Sequence, residues 1–206
     1  MKFYLVFLFL FVSLVSQAQN NNKIQWKEVS CAEKWWAIKH PFVVKKAKKI
    51  STETRKIVED VKKENLLKGN GYNMQIDAFR HTYWMARLTQ ELGGRRAKSL
   101  GKAHEKGNYQ LYKKRKNEAV ISPDKISSEM DFFNNDVGIE IGKKSSNFEL
   151  KELIIEVVLS GKCKIILLDE NQNFLDCEGL IIPKEELIGK WKNRKCLVNS
   201  NYTQHI

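Results

Sequence analysis

The sequence predicts a mainly α fold, an orthogonal bundle of about five helices with a small C-terminal β-hairpin. Apolar residues recur at helical spacing between residues 31 and 159, and glycines and prolines punctuate them. Only residues 163–168 form a short run that is both β-branched and apolar. That run leads into the turn-rich Asp169-Glu170-Asn171-Gln172-Asn173 and a second short run at 174–178, the pattern of a hairpin.

The N-terminus reads as a secretory signal. Lys2 is a short basic n-region, residues 3–15 are almost continuously apolar, and Ser16-Gln17-Ala18 is a small-x-small cleavage site. Cleavage near Ala18 would deliver the rest to the periplasm or the medium. The apolar stretch is shorter than the ~20 residues of a membrane-spanning helix, and no later segment has the length and apolarity to span. Four units follow: a signal peptide (1–18), an N-terminal helical arm (19–68), a motif-bearing helical core (69–161), and a hairpin with C-terminal tail (162–206) packed as one domain with the core.

In the arm, residues 31–67 are helical with a break at Pro41. Gly69-Asn70-Gly71-Tyr72 is a turn, and a second helix spans 76–92 until Gly93-Gly94 stops it. A third helix covers about 95–106 and ends at Gly107. A basic loop with some helix runs from 108 to 126. A fourth helix begins near Ser128, capped by Ser127 or Ser128, and continues to about Lys144. A fifth, capped near Asn147, spans 149–159, and Gly161 closes it. Residues 183–191 add a last turn.

Net charge is +12, concentrated in runs such as Lys45-Lys46, Lys48-Lys49 and Lys113-Lys114-Arg115-Lys116. Such runs usually form solvated helix faces, yet their combined field attracts polyanions: nucleic acid, anionic headgroups or acidic wall polymers. Cys31, Cys163, Cys177 and Cys196 all lie in the exported part, where disulfides persist. Three pairings are open. The hairpin reading favours Cys163 with Cys177, leaving Cys31 and Cys196 to pair or stay free. No CxxC pair is present, which argues against a cysteine zinc cluster.

Three helices place polar groups on faces that ought to be apolar. On the second, Asp77 and His81 fall within the stripe of Trp84, Met85, Leu88 and Leu92. On the third, His104 extends the stripe of Ala97, Leu100 and Gly101, with Glu105 next to it. On the fourth, Asp131, Asn135, Gly138 and Gly142 align opposite Phe132, Phe133, Val137 and Ile141, and Asn134 borders that strip. The plain reading is a core Asp–His hydrogen bond and tight packing at the two glycines. Convergence on one pocket explains all three oddities together, with Trp84 as a wall and Arg80 as an anion clamp.

These residues occur as Asp77-Ala78-Phe79-Arg80-His81-Thr82-Tyr83-Trp84, then Ala103-His104-Glu105, then Met130-Asp131-Phe132-Phe133-Asn134-Asn135-Asp136-Val137-Gly138. In them the chain resembles a bacterial domain family of unknown function with the ordered pattern D-A-x-R-H-x-x-W, A-H-E and M-D-x-x-N-N-x-x-G. The resemblance covers roughly residues 70–161. Members of that family often stand at the C-termini of large secreted, polymorphic-toxin-like proteins, whereas this chain is small and has its own signal. The resemblance implies that Asp77, Arg80, His81, Trp84, His104, Glu105, Asp131, Asn134 and Asn135 occupy its motif positions.

Two functions compete. In the first, an exported hydrolase acts on an anionic substrate, a phosphodiester, phospholipid or envelope polymer. His81, His104, Glu105 and Asp131 would be catalytic, a histidine serving as general base, and Arg80, Trp84, Asn134 and Asn135 would bind substrate. A metal-bound variant uses Asp77, His81, His104 and Asp131 around zinc or manganese. In the second, the protein is a noncatalytic binding module whose polar pocket is structural or holds a ligand. Nucleophile-elbow, papain-like, phosphate-loop and dinucleotide signatures are all missing.

Overall fold

The computed structural model describes Trp26 and residues 29–118, 120–121, 123–145 and 149–202. The signal peptide with its cleavage near Ala18, and the expected cap at Asn147, lie outside the described residues. Among those described there are seven helices and one two-stranded antiparallel sheet, a mainly α fold.

The arm forms α1 (Cys31–Lys39) and α2 (Val44–Glu64) on either side of Pro41. Ser30 caps α1 in a reciprocal box with Glu33. Asn65, in the left-handed conformation at φ 53°, ends α2. The central helix α3 (Gln75–Leu92) packs against α2, against α4 (Gly94–Arg115), against α5 (Lys125–Lys144) and against α6 (Leu150–Leu159). Neighbours on so many sides account for its burial almost all round, from Ile76 to Leu92.

α4 does not stop at Gly107 as expected but runs on to Arg115. Gly107 is buried where α1 docks, and a Cβ there would lie 2.6 Å from Ser30 Cβ, so the glycine serves close approach rather than termination. α5 starts three residues earlier than expected, because Asp124 rather than Ser127 or Ser128 is the cap, in a box with Ser127. Gly138 and Gly142 press α5 onto the Thr82 and Ala86 backbone of α3, the tight packing that their alignment suggested. Phe132 and Phe133 are 41% and 44% exposed, so the polar and glycine strip of α5 is the one turned inward.

The C-terminal region corrects two expectations. Strand β1 (Lys164–Ile166) pairs with β2 (Leu197–Asn199), in the register Lys164 to Asn199, Ile165 to Val198 and Ile166 to Leu197. The expected hairpin over 162–178 is reduced to single bridges, Leu168 with Phe174 and Leu175 with Ile181. A short helix, α7 (Lys184–Leu187), lies between them and β2. The disulfide joins Cys177 to Cys196, not to Cys163. Because β2 rather than residues 174–178 pairs with β1, Cys163 is left buried beneath the sheet, where its thiol lies 3.4 Å from the Thr82 hydroxyl. Burial pushes that thiol up to about 11. Cys31 is free and exposed.

The tail is tied to the helices by a buried ion pair. Lys195 Nζ sits 2.5 Å from Asp124 Oδ2, with both side chains fully enclosed, and 3.7 Å from the centre of the Phe174 ring. No helix among the described residues is long and apolar enough to cross a membrane.

Candidate functional site

The three motif blocks meet on one side of α3. A cavity of about 510 Å³ is lined by Asp77, Arg80, His81 and Trp84 from α3, His104 from α4 and Asp131 from α5. Arm residues Glu33 and Arg55 and the basic Arg115 also line it. A second cavity of about 280 Å³ shares Glu33, Arg55, Trp84 and His104 with the first and extends over the apolar Trp36, Val44 and Leu100.

Asp77 stands in the first turn of α3, where the helix dipole and exposed N–H groups favour a carboxylate. Its Oδ2 accepts the Asn73 backbone N–H at 2.6 Å, and its Oδ1 accepts Arg80 Nη2 at 2.5 Å. One turn on, His81 is 2% exposed. Its Nε2 lies 3.0 Å from Arg80 Nη2, 3.2 Å from Asp131 Oδ1 and 3.6 Å from Asp77 Oδ1. A guanidinium only donates, so the hydrogen-bond network assigns the lone pair to Nε2 and the proton to Nδ1, which donates to Asn135 Oδ1 at 3.2 Å.

His104 belongs to a separate pair. Its Nδ1 lies 2.9 Å from Glu33 Oε1, while the other oxygen of Glu33 accepts from Ser30 N at 3.0 Å and Ser30 Oγ at 2.7 Å. The glutamate that caps α1 thereby also orients the imidazole on α4. Trp84 packs edge-on against His104, with ring centres 5.5 Å apart, and donates its own N–H to Ser51. The His81 and His104 rings are 6.2 Å apart.

Electrostatics push these groups in opposite directions. Burial, reinforced by the positive Arg80 and His104, holds His81 well below the ordinary imidazole value. For His104, burial acts downward, but the Glu33 hydrogen bond and the Glu105 and Glu33 carboxylates outweigh it and the group is raised. Glu33 is brought down to about 2: burial opposes, and the bonds from His104 and Ser30 prevail. Burial raises Asp131 well above the carboxylate range, and the neighbouring Asp77 and Glu105 add to it. Asp77 and Glu105 are themselves raised by burial, against the pull of Arg80 and of His104 respectively.

Three residues expected at the pocket lie behind it. Asn134 is fully buried and grips Lys164 of β1, accepting its N–H at 2.8 Å and donating to its carbonyl at 2.9 Å, so it anchors the sheet to α5. Asn135 orients His81. Glu105 is buried behind the wall with its Oε2 on Asn108. In the other direction, Glu33, Arg55 and Arg115 were not expected. Ser30-Cys31-Ala32-Glu33 is legible as a capping box before an apolar run, but nothing local says that its glutamate reaches a histidine 71 residues away.

No curated protein and no solved structure matches this chain. A family profile, described as a domain of unknown function (DUF6973), matches residues 34–164. The match starts in α1 and ends in β1, so it takes in residues 34–68 of the arm, which the motif resemblance left out. Every lining residue named above except Glu33 falls within it, and the chain belongs to the DUF6973 family.

Proposed function

We propose that the protein is an exported hydrolase of an anionic ester, a phosphodiester such as a phospholipid headgroup linkage or an envelope polymer. The observation that supports this most is the pair of imidazoles 6.2 Å apart in one cavity, one shifted down and the other up from the ordinary imidazole value by their surroundings. Arg55, Arg80 and Arg115 on the same wall suit a phosphate. Water adds to phosphorus at the corner formed by Asp77, His81 and Asp131, which accepts its proton. The bond to the leaving oxygen breaks, and His104, whose protonated form Glu33 favours, supplies that oxygen with a proton. Export rests on the N-terminal signal, and the Cys177–Cys196 disulfide suits an oxidising compartment.

The test is hydrolysis of bis-nitrophenyl phosphate and of anionic phospholipid vesicles by the purified protein and by His104→Gln and Glu33→Gln. Each general acid–base contribution is worth about 10²–10⁴ in rate. The expected result is a loss of that size for His104→Gln in a variant whose circular dichroism still shows the folded helices. It is accompanied by a downward shift of the basic limb of the pH–rate profile for Glu33→Gln. Absence of turnover on both substrates, or variants as active as the parent, would defeat the proposal.

One surface favours a second reading, that of a binding module. Trp35, Ile38 and Phe42 are 63%, 64% and 98% exposed at the α1–α2 corner. Residues 34–52 around them carry Lys34, Lys39, Lys45, Lys46, Lys48 and Lys49 and no acidic residue. Aromatic and aliphatic tips with lysines close by in sequence, of which Lys46 and Lys49 also pair with Glu91 and Glu53, suit an anionic bilayer surface, on which the rings insert and the ammonium groups meet headgroups. Co-sedimentation with phosphatidylglycerol but not phosphatidylcholine vesicles, lost in Phe42→Ser and in high salt, is the expected outcome. Equal binding to both vesicles would refute it.

A further inference from the structure

Asp77, His81 and Asp131 present three electron-pair donors to one point. One ligand atom from each lies within 4.8 Å of the other two, and all three side chains are buried. The His81 Nε2 separations, 3.2 Å to Asp131 Oδ1 and 3.6 Å to Asp77 Oδ1, bracket the ~3.4 Å edge of a tetrahedron built on metal–ligand bonds of about 2.1 Å.

Hydrogen bonding leaves the trio incomplete. With Nδ1 donating to Asn135, Nε2 carries no proton, so it cannot satisfy the oxygen of Asp131 that faces it. Asp131 Oδ1 is buried with no hydrogen-bond partner, in a residue only 7% exposed. Native proteins rarely leave such an acceptor unmatched, and here it points at two other acceptors. Only a cation or a shared proton satisfies that arrangement. Two of the three ligands are also held from behind, as metal ligands are: His81 by Asn135, Asp77 by the Asn73 backbone N–H.

We infer that Asp77, His81 and Asp131 form a three-ligand site for a divalent transition metal, zinc or manganese, with the guanidinium of Arg80, which lies against Asp77 and His81, as the cation that the metal displaces. One imidazole and two carboxylates are a donor set that either metal accepts. Arg80 can leave: its side chain is 33% exposed and its guanidinium lies 5.8 Å from the face of Tyr72. All three ligands line the large cavity, so a bound ion would keep positions open for water and substrate. His104 is outside the set, because the ligand atoms that lie within 4.8 Å of one another are those of Asp77, His81 and Asp131. The sequence-level set of four ligands therefore becomes three. The site deepens the hydrolase reading by naming what activates the water there.

Metal binding is measurable without substrate, which separates the two ideas. The chelator-treated protein is titrated with ZnCl₂ by calorimetry and with MnCl₂ by loss of the free-ion paramagnetic resonance signal. One equivalent should bind. Asp131→Asn and His81→Gln should each weaken binding by at least about 10- to 100-fold, the size of the loss when only an orienting partner is removed. His104→Gln should stay within about threefold, and Arg80→Gln should bind more tightly, because the competing cation is gone. Arg80→Gln guards against variants that merely misfold, since misfolding cannot raise affinity. A parent protein that binds no stoichiometric ion, an Asp131→Asn variant that binds equally well, or an Arg80→Gln variant that binds less tightly would overturn the inference. Hydrolysis persisting without metal would leave the proposed activity standing, and metal binding without hydrolysis would remove only the activity.

Discussion

Replacing Gly138 by alanine sets two effects of opposite sign against each other. In an isolated helix the change is favourable by about 1 kcal/mol, because glycine has the larger conformational entropy to lose. In this protein the added Cβ would lie 2.9 Å from Met85 Cβ and 3.0 Å from the Thr82 carbonyl carbon, and nearer still to the Thr82 oxygen. Carbon atoms prefer about 3.5–4.0 Å, and the obstacle is the backbone of α3, which cannot rotate aside as a side chain would. α5 must therefore retreat by a sizeable fraction of an ångström along the face where Gly142 is equally tight, 2.5 Å from the Ala86 oxygen. Overpacking of this kind costs about 1–3 kcal/mol, and a rigid obstacle puts it at the upper end. After the helix-propensity gain the net loss is about 2 kcal/mol, or roughly 4–8 °C in melting temperature for a chain of this size. Urea and thermal unfolding followed by circular dichroism measure it. Gly94→Ala is the control: its Cβ would meet Ile139 and Lys143 at an ordinary 3.4 Å, and it should be neutral or stabilising. If Gly138→Ala melts at or above the parent temperature, propensity has won and the close α3–α5 approach is refuted.

Peptide mapping without reduction should recover Cys177 joined to Cys196, with Cys31 alkylated in the folded protein and Cys163 only after unfolding. Cys196→Ser should lower stability by about 3 kcal/mol for a loop of this length. Lys195→Met leaves the enclosed Asp124 carboxylate without its partner and should cost about 3–5 kcal/mol, with mass-balanced recovery when Asp124 is changed to Ser in the same chain. Histidine NMR titration should show His104 protonating above 6.5 and His81 still neutral well below it; Glu33→Gln should lower His104. The sign for stability follows from each shift. The His104 contribution is complete below pH 6.5 and is lost as pH rises through its raised value. That of Glu33 is complete above pH 4.5 and is lost as pH falls towards 2. His81, buried neutral, contributes above pH 6.5 and loses that contribution as pH falls towards its depressed value.

The helices of this protein were legible in its sequence because their signals are local. A 3.6-residue stripe, a proline at 41, glycines at 93 and 94, and turn residues at 69–72 each act within a few positions of the chain. The polar interruptions at Asp77, His81, His104 and Asp131 were legible for the same reason, since a projection onto a helix needs no knowledge of other elements. What the stripes could not say was which side of α5 turns inward. Both candidate faces carried a coherent pattern, and only contact with the α3 backbone, which admits glycine and excludes phenylalanine, selected the polar one. The C-terminal region depended still more on tertiary context. Residues 163–168 and 174–178 look like a hairpin when read alone. Asn134 instead fixes Lys164 from both sides, β1 takes a partner from residues 197–199, and the cysteine pairing moves with it. Strand pairing and disulfide geometry are long-range quantities, set by which backbone edge another element leaves exposed. The same holds for Glu33. Its capping role is written in four consecutive residues, whereas its hold on His104 exists only because Gly107 lets the start of α1 close on α4.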